Sequence, residues 1–159
     1  MDQTDRKILE ALQQNAREKK SVLARALGIP ATTLQERIRR LEEKGVIEGY
    51  RAAINAAALG LGVQAFIAVS LKHHESTAIR QFERGVAEIP CVRASYHLSG
   101  RFDYMLHVSV KDLEALGNLV KTEITTLPDF GKCETFLIFS EIPSNRKLTD
   151  ITGVNHANL

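Results

Sequence analysis

Residues 28–45, GIPATTLQERIRRLEEKG, run between two glycines and carry one helix between them. Leu34, Ile38 and Leu41 fall at i, i+4 and i+7, a single apolar stripe of α-helical period, and Gly45 supplies the stop. With that stripe turned inward, a step of about 100° per residue places Thr32, Glu36 and Arg39 on the opposite face. Gln35 and Arg40 flank that face, and Arg37 and Lys44 lie nearer the core edge. Just upstream, Val22, Leu23, Ala26 and Leu27 form a second short apolar face that ends at Gly28. Two short helices across a tight glycine-containing turn follow the helix-turn-helix plan. Further upstream, Ile8, Leu9 and Leu12 mark a first helix, with Asp2 and Asp5 at the end where the helix dipole favours negative charge.

Charge is distributed to match. The chain of 159 residues has a formal net charge of +2. Residues 1–55 hold 11 Lys and Arg against 8 Asp and Glu, a local net of +3, and the remainder holds 10 against 11, a net of −1. Basicity confined to one end points to a local polyanion site. Thr32, Thr33 and Gln35 bring hydroxyl and amide groups that hydrogen-bond base edges. Arg37, Arg39, Arg40 and Lys44 bring cations that grip guanine or phosphate, with Glu36 between them. Lys19 and Lys20 add further phosphate contacts. The competing reading is a solvated face laced by i,i+4 ion pairs.

Beyond Gly45 the stretch VIEGYRAAIN, with Val46, Ile47, Tyr50 and Ile54, predicts a short extended ribbon, so the unit is winged-helix-like. The small, glycine-containing stretch 55–62 predicts a linker between a helix-turn-helix domain at 1–54 and a second domain at 63–148. That second domain alternates strand and helix. Val63–Leu71 has period two, followed by a helix stripe of Ile79, Phe82 and Val86. Strands follow through Val92–Leu98 and Tyr104–Val110. A second helix stripe carries Leu113, Leu116, Val120 and Ile124, and a last strand runs through Glu134–Ile142. The order βαββαβ is the ferredoxin-like plan, and the whole chain is α+β. Residues 149–159 are polar and aperiodic and predict a loose tail.

Several chemistries are absent from the sequence. Cys91 and Cys133 have no metal-site spacing and read as two reduced thiols. No apolar run is long enough to cross a bilayer and the N-terminus has no apolar leader, so the chain is expected in the cytoplasm. No phosphate loop, nucleophile elbow, HExxH or GxGxxG occurs, and no cofactor is implied. His97 and His107, on one hairpin, form a conceivable metal pair without a third ligand. In the turn LSGRFDY, Gly100 lets backbone approach a ligand, and the Asp103 carboxylate suits an ammonium group. An ordinary hairpin with a solvated Asp fits the same residues.

Four segments together carry a resemblance: DQTDRKIL (2–9), LARALGI (23–29), ERIRRLEEKGVIEGY (36–50) and SGRFDY (99–104). The chain resembles the leucine-responsive/asparagine (Lrp/AsnC) family of transcriptional regulators over about residues 2–148. That resemblance implies a sequence-specific DNA-binding protein that recognises a pseudo-palindromic operator in double-stranded DNA. It also implies a homodimer formed through the sheet, stacking into tetramers or octamers, and a small-molecule effector, typically an amino acid, between dimers. Carried over residue by residue, Ser99, Gly100 and Asp103 would hold the effector's charged ends, and His97, Leu98, Leu113, Phe136, Leu137 and Ile138 match positions linked to the response.

The chain departs from that pattern in places. Pro30 stands where a Ser or Thr usually caps the recognition helix, which makes Thr32 the alternative cap and shifts the helix start. Lys19 replaces the usual cap of the preceding helix. Arg101 stands where an acidic residue often occurs. It would either favour an effector with an anionic side chain or pair with a neighbour. Two other functions stay open. One is a tetrapyrrole-precursor decarboxylase of similar fold using His97 and Arg101, although the aromatic strand of those enzymes and any Trp are missing. The other is an assembly module with degenerate DNA binding.

Overall fold

A carboxylate pair starts the chain's first helix. In the computed structural model, which describes residues 1–142, α1 (Gln3–Gln14) opens with a capping box. The Asp2 carboxylate accepts from the Asp5 amide at 2.8 Å, and the Asp5 carboxylate accepts from the Asp2 amide at 3.1 Å. Two donors that a helix start leaves orphaned are thereby satisfied. α2 (Lys20–Leu27) and α3 (Ala31–Glu43) follow. Ile8, Leu23, Ala24, Leu34, Ile38 and Leu41 form the buried core of this unit, Met1–Ala53. The stripes of α1 and α3 are thus the expected ones. That of α2 is rotated: Leu23 and Ala24 are buried, whereas Val22 and Ala26 face out.

Neither α2 nor α3 has a side-chain cap. Pro30 is the N-cap residue of α3, its carbonyl accepting from the Leu34 amide at 3.0 Å. The expected shift of the helix start to a Thr32 cap does not occur, because Pro30 already has the extended conformation a cap needs (φ −60°, ψ 146°). The expected ribbon over residues 46–55 does not form either. The Val46 and Ile47 amides instead close the end of α3 on the Leu41 carbonyl, and the Tyr50 hydroxyl donates to Glu42 at 2.9 Å. Burial and the Glu42 carboxylate push the Tyr50 pKa up to about 12.

The second unit, Ile54–Ile142, is built on one antiparallel sheet. Its strands are β1 (Val63–Leu71), β2 (Val92–His97), β3 (Tyr104–Val110) and β4 (Phe130–Leu137), in the order β2-β3-β1-β4. With α4 (Ser76–Ala87) and α5 (Leu113–Leu119) as the two crossovers, this is the ferredoxin-like βαββαβ arrangement. The linker stretch holds a single 3₁₀ turn, Ala57–Leu59. Ala65, Ile67 and Val69 of β1 lie opposite Val108, Leu106 and Tyr104 of β3, all facing the helices. Phe82 and Val86 of α4 and Leu116 and Leu119 of α5 pack on that face. The Tyr104 hydroxyl, buried there, donates to Glu83 at 2.9 Å, and burial raises its pKa.

Two boundaries differ from expectation. β4 begins at Phe130 and ends at Leu137, not at Ile142. The Ile138 amide still bonds the Gln64 carbonyl near the start of β1, and the ladder does not continue beyond it. The stripe of α5 also shifts. Leu116 and Ile124 are buried as expected and Val120 partly so, but Leu119 is buried too and Leu113 at the helix start is 61% exposed; a π turn over Val120–Ile124 follows the helix. Residues 143–159, which include the expected tail, lie outside the described residues.

Two glycines test the packing. A Cβ at Gly131 would stand 2.7 Å from the Ser70 carbonyl oxygen, where the β1–β4 register shifts. A Cβ on the exposed helical Gly117 would meet nothing within 4 Å. Gly131→Ala is therefore expected to lose about 1–3 kcal/mol in urea denaturation. Gly117→Ala should gain about 0.5–1 kcal/mol. Equal effects would mean that the β1–β4 contact is not rigid.

Candidate nucleic-acid interface and effector loop

Helix α3 presents its polar residues outward because its three apolar ones are fully engaged inside. Thr32, Thr33, Gln35, Glu36, Arg39, Arg40 and Lys44 are all exposed. The structure brings Thr32, Thr33, Glu36, Arg37 and Arg40 together along one open groove of about 420 Å³. Lys44 lies with Arg40 on a second hollow of about 300 Å³, lined also by Met1, Asp2 and Asp5. Gln35 and Arg39 line neither.

The arginines of α3 are not equivalent. Arg39 binds Glu36 (2.7 Å) and Glu43, and all three side chains are more than half exposed. Exposed pairs of this kind are weak and screened by salt, so Arg39 exchanges partners readily. Arg37 was expected among the phosphate contacts, but its Nη1 is held by Asp2 Oδ2 at 2.6 Å and Asp5 Oδ1 at 2.8 Å. Its side chain is 24% exposed and that of Asp5 only 5%. Arg40 stands farther off, 3.7 Å from Asp5. Burial pushes the Asp5 pKa up, but Arg37 and the Asp2 amide outweigh it and hold the carboxyl below its ordinary value. For Asp2 the Asp5 amide, then Arg37, act in the same direction. Asp2 and Asp5 were read from sequence only as dipole partners. Their D-x-x-D spacing, a box spanning N-cap and N3, was the signal that both carboxylates would face one point.

In the second unit, the turn between β2 and β3 is tied to β1. The Leu98 amide donates to the Asp103 carbonyl (2.8 Å), and the Asp103 amide to the Val69 carbonyl (2.9 Å). Gly100 has φ +145°, a conformation side chains rarely adopt, which lets this turn fold tightly. Both Asp103 carboxylate oxygens have partners: Oδ2 accepts from the Leu71 amide at 2.8 Å, and Oδ1 meets His74 Nε2 at 2.9 Å. Burial raises the Asp103 pKa, and these two bonds more than reverse that. An effector's ammonium would therefore share Oδ1 with His74. Arg101 pairs with Glu134 of β4 and lies 5.0 Å over the Phe102 ring. Pairing with a neighbour is thus the alternative realised in this chain.

Ser99, Gly100 and Arg101 are exposed, as are Leu98, Leu113, Phe136 and Leu137, while Ile138 is half-buried. His97 stacks on Tyr104, ring centroids 4.7 Å apart. His107 lies on the opposite sheet face, 3.0 Å from Gln64 Oε1 and against Phe66. Burial, then Arg93, lowers its pKa. The conceivable His97–His107 metal pair is thereby excluded, since alternate residues of the pleat separate the two rings. Among the described residues no three His, Cys, Asp or Glu side chains are grouped to hold a metal. No helix among them is long and apolar enough to cross a membrane.

A helix-turn-helix with a polar outer helix, joined in sequence to a ferredoxin-like unit with a tied exposed turn, defines a two-unit DNA-binding protein with a ligand-type second domain. Residues 1–48 match the winged helix-turn-helix DNA-binding family, and residues 64–148 match the Lrp/AsnC ligand binding domain. The HTH-type transcriptional regulator AldR of Mycolicibacterium smegmatis is 40% identical over 142 residues, 89% of this chain and 83% of that protein. The leucine-responsive regulatory protein of Escherichia coli K12 is 30% identical over 148 residues, 93% of this chain and 90% of that one. Among solved structures, a transcriptional regulator of Neisseria meningitidis in complex with L-Met superposes with a TM-score of 0.86 at 28% identity, covering 91% of this chain and 93% of that one. The chain belongs to the Lrp/AsnC family of transcriptional regulators. These relatives are named regulators rather than enzymes, which leaves the decarboxylase alternative without support.

Because Asp2 and Asp5 are held below the ordinary Asp value of 3.8, the stability they supply is complete above that pH and is lost as pH falls through their lowered values. Melts of the full chain from about pH 7 to about pH 3 should show that loss, and Asp5→Asn should flatten it. An equally steep loss in the variant would assign the acid sensitivity elsewhere.

Proposed function

We propose that this chain is a cytoplasmic, amino-acid-responsive regulator that binds a pseudo-palindromic operator as a homodimer. The observation that carries this reading is the exposed polar face of α3, whose N-terminal residues line an open groove. In a symmetric dimer two such helices enter successive major grooves about 34 Å apart. Thr32, Thr33, Gln35, Glu36, Arg39 and Arg40 meet base edges or nearby phosphates. Lys19, Lys20 and Lys44 add salt-sensitive phosphate contacts.

The effector site is the turn Ser99–Asp103, completed by a second dimer as tetramers or octamers form. Backbone near Gly100 and the Asp103 carboxylate, shared with His74, receive the charged ends. His97, Leu98, Leu113, Phe136, Leu137 and Ile138 surround the remainder. The exposed Leu98, Leu113, Phe136 and Leu137 make most of this rim apolar, with Arg101 engaged by Glu134, and it suits a neutral amino-acid side chain better than an anionic one. The L-Met complex of the Neisseria relative is consistent with that choice. Effector binding at a joint between dimers changes the spacing of the DNA-reading helices, a coupling of about 1–3 kcal/mol.

Purified protein should retain pseudo-palindromic genomic fragments at about 100 mM salt, and a pool of neutral amino acids should shift their apparent affinity by about 5- to 150-fold. Pools from which single amino acids are omitted would then identify the effector. Folded protein that enriches no fragment with or without the pool would overturn the DNA-binding reading. A shift produced only by acidic amino acids would overturn the assignment of Arg101.

A further inference from the structure

We infer that Arg37 is a positioning residue that sets the recognition helix on α1 and does not contact DNA. This rests on the DNA-binding reading above and adds a division of labour among the cations of α3. Arg37 Nη1 bridges both carboxylates of the α1 capping box, at 2.6 Å to Asp2 and 2.8 Å to Asp5. Each of the four carboxylate oxygens then has one partner: two take the box amides and two take Arg37.

The decisive feature is the burial of Asp5. Its side chain is 5% exposed, and with Ile8, one turn on, it is one of the two buried residues of α1. Leaving such a carboxylate without its cation is far more costly than opening an exposed pair. A DNA phosphate competing for Arg37 would strip Asp5 of its closest cation and its only guanidinium hydrogen bond, leaving the longer 3.7 Å pairing with Arg40. A phosphate competing for Arg39 faces only Glu36 and Glu43, both well solvated. The same helix therefore carries one locked arginine and one available arginine, two residues apart.

The lock also has a geometric consequence. α1 and α3 meet in a core that includes Ile8, Leu34, Ile38 and Leu41, and apolar contact of this kind is non-directional. Two directional charge-assisted bonds from one guanidinium to two carboxylates define the pitch of α3 against α1. Base readout depends on that pitch, whereas phosphate attraction hardly does.

The test uses the full-length protein and its Arg37→Gln, Arg37→Lys, Asp5→Asn and Arg39→Gln variants. Affinity for a retained genomic fragment and for random-sequence duplex is measured between about 50 and about 200 mM salt, with circular dichroism giving the folded fraction. Arg37→Gln is expected to weaken specific binding by about tenfold while leaving random-duplex binding intact. Its slope of log affinity against log salt should stay unchanged, whereas Arg39→Gln should reduce that slope by about 0.9. Asp5→Asn, although it removes a negative charge, should lose specific affinity as Arg37→Gln does. Arg37→Lys should restore part of it, because an ammonium keeps the charge without the fork. A merely unfolded helical unit would lower both affinities in proportion to the folded fraction.

The inference is overturned if Arg37→Gln weakens both duplexes equally and lowers the salt slope by about 0.9. It is equally overturned if Asp5→Asn binds the specific fragment as tightly as the parent or tighter. If Arg37→Gln fails to fold, Asp5→Asn and Arg37→Lys decide the matter by the same ratio. Absence of any DNA binding by the parent protein would instead overturn the regulator reading, a result distinct from both.

Discussion

A buried carboxylate has to find a cation, and in the N-terminal unit that requirement falls on Asp5. The helix dipole and the capping box both favour an acidic residue at its position, yet the same position lies at the edge of the core formed by Ile8, Leu34 and Ile38. Its charge is tolerable only because Arg37 reaches across from α3. One ion pair thereby links the start of the first helix to the middle of the third. The polar surface of α3 faces outward because its apolar stripe and its locked arginine both face inward.

In the sheet unit the controlling element is β1, flanked on both sides by antiparallel partners. Ala65, Ile67 and Val69 are wholly buried on the helix side, so a slip of one residue would turn them away from the core. That register fixes where Asp103 falls. Opposite the end of β1, its amide and carboxylate close on Val69 and Leu71, and the exposed turn Ser99–Arg101 is held by a strand in the centre of the sheet. A loop anchored in this way stays exposed without losing its shape, which is what a ligand-contacting turn requires.

Much of this was legible from local periodicity. The stripe of α3 and the inward face of β1 and β3 name core residues correctly, and that of α1 names Ile8 with the partly buried Leu9 and Leu12, because each is set by side-chain direction within one element. Where the expectation failed, the deciding neighbour was distant. Glu134 through Ile142 looks strand-like, but β4 runs from Phe130 to Leu137, placed by its pairing with β1. In α5 the periodicity names Leu116, Val120 and Ile124 but not Leu119, and Leu113 at the helix start stays exposed. Val46 and Ile47 have strand-forming side chains, yet their amides close the end of α3.

By itself the sequence determined two units, their element order, the outward face of α3 and the Gly100–Asp103 turn, all from patterns that repeat within a few residues. Only the tertiary structure decided the work of the charged groups. Arg37 is locked to Asp2 and Asp5, Arg101 is paired with Glu134, Asp103 with His74, and His97 is parted from His107. Charge carries no period. Whether an arginine is available to a ligand depends on which carboxylate the fold brings within about 3 Å and how deeply that carboxylate is buried.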